Sequence, residues 1–89
     1  MKTELFSVFD AVLGRYNEPF NARTVDRAKA MFAEVCNNPN SDICKYPSEY
    51  TLFHIGSFDM ETGLPTPQNT PISLGVAIEY KVEEYKLET

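Results

Sequence analysis

Arg23 and Arg27 stand four residues apart, with Arg15, Tyr16 and Phe20 just ahead of them. Four residues is close to one helical turn, so the spacing predicts two guanidinium groups on one helix face. Arginine beside an exposed aromatic ring can hold single-stranded nucleic acid by phosphate contact and base stacking. These five residues are the candidate nucleic-acid contacts. Arg23 and Arg27 also suit plain surface ion pairs, with Asp26 or Glu34 as the nearby acids.

The other reactive residue types do not assemble into a site. The single histidine, His54, lies in the apolar run Leu52-Phe53-His54-Ile55. A Cys–His nucleophile would need Cys36 or Cys44 within hydrogen-bond reach and a third group to orient the base, and nothing in the spacing supplies one. With one histidine and no CxxC, a four-ligand zinc site cannot be built within one chain. Cys36 and Cys44 read as free thiols in a reducing compartment, behaving as small buried hydrophobes. A disulfide between them is open only to an oxidised protein. Asp59/Glu61 and Glu83/Glu84 read as turn and tail residues. Gly14, Gly56, Gly63 and Gly75 are scattered and none opens a helix, so there is no phosphate-cradling loop. The reading is a non-enzymatic protein with no catalytic residue, no metal and no cofactor.

Composition bounds the rest. The chain has 89 residues, 43% of them hydrophobic, with five Tyr and six Phe. That allows one domain with one modest core and is too apolar for a wholly disordered chain. Thirteen acids outnumber eight bases, for a net charge of −5. A protein that coats nucleic acid by bulk positive charge is excluded. The imbalance is uneven: residues 1–30 hold five bases against four acids, and residues 31–89 hold three against nine. Any DNA contact must therefore be local, near the start of the helix, or mediated by another protein. No apolar run is long enough for a transmembrane helix, and Met1-Lys2-Thr3-Glu4 does not open a signal peptide.

The elements that must position these residues follow from periodicity. Residues 4–8 start a central strand, with Phe6 and Val8 on one face and Leu5, Ser7 and Phe9 on the other. Residues 15–22 are weakly strand-like, and Pro19 places them at an edge. Thr24 caps a helix whose Val25, Ala28, Phe32, Val35 and Cys36 form one stripe, stopped by Asn37-Asn38-Pro39. Residues 37–48 read as a polar loop pinned by Ile43 and Tyr46. Residues 50–58 form a second clear strand, with Tyr50, Leu52, His54, Gly56 and Phe58 on one face. Asp59 to Gly63 is a turn, and residues 64–67 are a short, proline-limited return strand. Residues 72–80 favour a strand with Leu74, Val76, Ile78 and Tyr80 buried; a helix is the weaker option. The sum is an α+β domain over residues 1–80, a small mainly antiparallel sheet of three to five strands with one main helix on one face, followed by an acidic tail at 81–89. One helix covers one face only. With Phe6, Phe9, Phe53 and Ile55 marking the opposite face as apolar, the C-terminal segment or a second subunit should cover it, and a homodimer is expected.

Several words of the sequence occur in a telling order: Leu5-Phe6-Ser7-Val8-Phe9-Asp10, Ala28 and Phe32 in the helix, Asn38-Pro39, then Tyr46-Pro47-Ser48-Glu49-Tyr50. Thr51-Leu52-Phe53-His54-Ile55-Gly56-Ser57-Phe58-Asp59 comes next, then Thr62-Gly63 and Pro71-Ile72-Ser73-Leu74-Gly75-Val76-Ala77-Ile78-Glu79-Tyr80. Across residues 4–81 this resembles the small nonstructural protein of gokushoviruses, Microviridae phages with circular single-stranded DNA genomes. The resemblance implies a phage protein of the host bacterial cytoplasm that is absent from the finished capsid. It further implies a DNA-associated factor in genome replication, or in the switch to single-strand synthesis and packaging. It carries over no site residues. The alternative is a dimeric adaptor that binds a viral replication protein or a host factor through an apolar sheet face, without touching DNA.

Overall fold

The computed structural model describes residues 1–82, so the acidic tail lies, from residue 83 on, outside the described residues. Strand β1 (Lys2–Asp10) runs through the middle of the sheet. On one side it pairs antiparallel with β4 (Tyr50–Asp59), which pairs in turn with β5 (Leu64–Val76). On its other side it pairs with two short pieces, β2 (Arg15–Tyr16) and β3 (Phe20–Ala22). Residues 15–22 thus form an edge, as their proline suggested, but they are two fragments with a gap at residues 17–19. Pro19 in that gap has no N–H to give a ladder.

The main helix, α1 (Val25–Cys36), forms where its periodicity places it. Thr24 holds extended backbone and its Oγ accepts the Arg27 N–H at 3.1 Å, satisfying one of the free amides of the first turn. Ala28, Phe32 and Cys36 face inward, onto Phe6, Val8, Ala22 and Leu52 of the sheet. Phe6, Leu52 and Cys36 are the largest fully buried side chains. Burying each large apolar side chain of this group stabilises the fold by about 1.5–3 kcal/mol. Val35, placed on the stripe by its spacing, is instead 40% exposed. The α+β architecture, a mainly antiparallel sheet with one main helix on one face, is the fold of this chain. Among the described residues no helix is long and apolar enough to cross a membrane.

Four expectations need correction. Residues 37–48 are not only loop: Ser41 caps a single turn, α2 (Asp42–Lys45), by accepting the Ile43 N–H, and a 3-10 turn follows at Pro47–Glu49. Ile43 packs on the core, but Tyr46 is 60% exposed and is not among the residues packed on it.

The faces of β4 do not alternate along its whole length. Phe6 pairs with His54 and Leu5 with Gly56, so Ile55 is an extra residue bulged out of the ladder. Each residue beyond the bulge changes face. Tyr50, Leu52 and His54 lie on the helix side, and Gly56 and Phe58 lie opposite. Gly56 must stay small, because a Cβ there would run into the Thr66 carbonyl of β5.

The return strand is one strand of 13 residues rather than a short one. Pro65, Pro67 and Pro71 are tolerated because β5 pairs on one side only, so a missing N–H costs nothing on the other. Its register slips twice, once around Leu74 and once over residues 68–71.

Residues 72–80 are strand only to Val76. Gly75 adopts φ +126° and the chain turns into a 3-10 helix, Ala77–Tyr80. Ala77 is therefore buried and Ile78 is 55% exposed, the reverse of a continuing strand. This terminal turn is stapled to α1. Asn37 donates to the Ala33 and Tyr80 carbonyls at 2.8 and 3.0 Å and accepts the Val82 N–H at 2.8 Å. The Tyr80 ring meets Phe32 edge-on, and its hydroxyl donates to the Leu74 carbonyl.

Candidate nucleic-acid interface

The loop after β1 sets the position of Arg15. Asp10 is buried, and its Oδ1 accepts the N–H groups of Val12 and Leu13 at 2.9 and 3.1 Å. Gly14, at φ +70°, closes the turn by donating to the Asp10 carbonyl, and Arg15 returns opposite Asp10. Tyr16 follows opposite Phe9. The edge is then tied down by side-chain bonds from β1: Ser7 Oγ donates to the Asn17 carbonyl at 2.7 Å, and Thr3 Oγ donates to the Ala22 carbonyl at 2.9 Å. Arg23 comes next, directly before the Thr24 cap.

The candidate residues therefore string out along one edge of the sheet. Arg15 registers with Asp10, and Ala22 registers with Glu4. Six residues of β1 separate those points, about 20 Å at strand rise. Arg15 and Tyr16 mark one end, and Arg23 and Arg27 mark the other. Arg23 precedes the helix, so the two do not form the helical i, i+4 pair that their spacing predicts. Both are exposed and stand beside the α1 N-terminus, whose dipole adds partial positive charge. Among the described residues, no carboxylate lies within ion-pair distance of Arg15, Arg23 or Arg27, so the pairs expected with Asp26 or Glu34 are not formed.

The aromatics divide. Phe20 stacks on Phe6 at 5.6 Å and packs against the core, so its ring is not presented to a base. Tyr16 is 44% exposed, and its ring touches Phe9 and Phe53 edge-on at 4.9 and 5.5 Å. Those contacts place Tyr16 over the sheet face turned away from α1. The ladder registers assign that face Thr3, Leu5, Ser7 and Phe9 from β1, and Thr51, Phe53 and Phe58 from β4. Ser73 and Val76 of β5 stand opposite Phe53 and Thr51 and complete it. Phe6 belongs to the covered face, contrary to expectation. None of these side chains is charged. Two shallow cavities of about 270 and 290 Å³ lie along the face, one between Tyr16, Ile55 and Pro71 and one between Leu5, Pro19 and Phe58. Leu5, Phe9, Phe53, Ile55 and Phe58 remain only half-buried there. Sequence reasoning marked this face as apolar; its lack of charge shows only once the registers are aligned.

Another cavity, about 470 Å³, is unsuited to phosphate. It is lined by Asp10, Asp42 and Glu49 with Tyr46 and Tyr50. Burial and then these three carboxylates push the Tyr50 phenol above its ordinary value. His54 is structural in its contacts. It stacks on Phe6, its Nε2 lies 2.8 Å from Glu4, and its Nδ1 lies 3.2 Å from the Gln68 amide. Cys36 is a buried free thiol, pushed up to about 11 by burial and then by neighbouring Cys44. Among the described residues no group of three His, Cys, Asp or Glu side chains is placed to hold a metal ion.

One family model, described as Phage ORF5 protein, matches residues 3–80. No curated protein and no solved structure matches the chain. With nearly the whole described fold covered, the chain belongs to that family.

Proposed function

We propose that this Phage ORF5 family member is a non-enzymatic accessory protein of a single-stranded DNA phage. It acts in the host bacterial cytoplasm, in genome replication or in the switch to single-strand synthesis and packaging. It binds single-stranded DNA weakly along the β2–β3 edge. Arg15, Arg23 and Arg27 contact phosphates, and the partly exposed Tyr16 meets a base. The observation that carries this reading is the run of three exposed arginines along about 20 Å of one edge, without a carboxylate partner among the described residues. The net charge of −5 keeps the binding local and weak, because the rest of the surface repels the strand.

Fluorescence anisotropy with a labelled single-stranded oligonucleotide tests it. Affinity should fall as salt rises, and Arg23→Glu/Arg27→Glu should weaken binding at least about tenfold while flattening the salt slope. Unchanged affinity in the double variant removes the edge from the account. A second reading, a dimeric adaptor for a viral replication protein or host factor, is favoured by the uncharged sheet face. It expects no anisotropy change with either single- or double-stranded DNA.

A further inference from the structure

We infer that the open face of the sheet is occupied by a second copy of this chain, packed sheet against sheet. It does not rest on DNA binding by the arginine edge, and it places Tyr16, which lines one cavity of the face, at the border of the contact.

Three observations choose this occupant. First, the residues that the registers assign to the face carry no charge, while the chain as a whole is 24% charged and has a net charge of −5. Two such chains repel each other almost everywhere; they can meet closely only where charge is absent. A nucleic-acid strand needs the opposite, cations beneath its phosphates, and the nearest, Arg15, stands at the rim opposite Asp10. Second, both sheet edges are closed to a partner strand. Pro65, Pro67 and Pro71 interrupt the free side of β5, and the gap at Pro19 breaks the other edge. Face-to-face packing is the mode left open to the sheet. Third, the helical elements that pack on the core, α1 and the 3-10 turn Ala77–Tyr80 among them, lie on the opposite side with Phe6 and Leu52, while on the open face only Thr3, Ser7 and Gly56 are buried and the aromatic side chains stay half-exposed. Residues 83–89 hold three glutamates and a lysine, a composition ill-matched to an uncharged aromatic face.

The contact would be isologous, with Phe9, Phe53, Ile55 and Phe58 of each copy filling the shallow cavities of the other. It would also place two arginine edges on one particle, so weak DNA contacts would act together.

Sedimentation velocity on the full chain, over about a hundredfold range of concentration, tests the inference. The wild type should move from monomer to dimer, and Phe53→Asp should weaken association at least about tenfold with unchanged circular dichroism. Ile55→Lys is the second variant; Ile55 is bulged out of the β1–β4 ladder, so its replacement spares the core even if Phe53→Asp misfolds. A wild type that stays monomeric throughout overturns the inference, as does a dimer that survives both substitutions. If a chain ending at Val82 dimerises and the full chain does not, the tail is the occupant and the inference falls. Loss of oligonucleotide binding in a monomeric wild type on Phe53→Asp would assign the face to DNA instead.

Discussion

The two faces of one sheet meet different fates here. On the helix side Phe6 and Leu52 are fully buried beneath Ala28, Phe32 and Cys36, and two ionisable residues of that face, Glu4 and His54, pair with each other. On the far side Phe53, Phe9 and Phe58 are only half-buried, and none of the residues that the registers assign to that face is charged. Alternation along β1 supplies an apolar residue to each side in turn, yet one helix can close only one of them. The first face holds the chain together; the second is the one we propose meets a second copy.

Truncating one residue on each face separates these roles most sharply. Leu52→Ala should cost about 3–5 kcal/mol, because the cavity is sealed between sheet and helix and has little room to relax. Phe53→Ala should cost the dilute monomer less, roughly 1–2 kcal/mol, since part of its surface is already wet. Urea unfolding of both at low concentration checks the contrast; equal losses would mean that the far side is as much core as the near one.

A chemical probe of the closed face comes next. The Cys36 thiol, pushed up to about 11 from an ordinary 9.0, holds about a hundredfold less thiolate at any pH below 9. Cys44 should be alkylated first in the native protein, and Cys36 only as the chain unfolds. The sign of the pH effect follows. Folding favours the neutral thiol, so its contribution is complete below pH 9 and is lost as pH rises from 9 toward 11. Urea midpoints that fall over that range in the wild type, and fall less in Cys36→Ala, are the expected result.

The smallest effect concerns the cover itself. Thr24→Ala removes the acceptor for the Arg27 N–H and should lower stability by about 1 kcal/mol, measured by the same unfolding curves. It should leave the open face, and any association through it, unchanged.

Much of this was legible beforehand, and the reasons for the rest are specific. α1 was readable because cap, stripe and stop agree locally: Thr24, then Ala28, Phe32 and Cys36, then Asn37-Asn38-Pro39. The central place of β1 followed from its two apolar faces. The Ile55 bulge was not readable, since nothing local distinguishes an isoleucine that has slipped out of register, and it moved Gly56 and Phe58 across the sheet. Three prolines disguised β5 as a break, although an edge strand can carry them. The candidate site was half visible. The five residues lie near one edge as their closeness in sequence implies, but Phe20 is claimed by Phe6, and Arg23 stands outside the helix that was meant to align it with Arg27. The uncharged face was the least visible, because it is a sum over three strands whose registers only the fold supplies.

The central claim, that one face is core and the other is an interface with a second copy, bears most directly on how thermal stability depends on protein concentration. A dimer that is more stable than its monomers melts at a temperature that rises with concentration, whereas a monomer does not. The wild-type melting temperature should climb as the protein is concentrated, and that of Ile55→Lys should stay flat. A wild-type melting temperature independent of concentration would contradict the account.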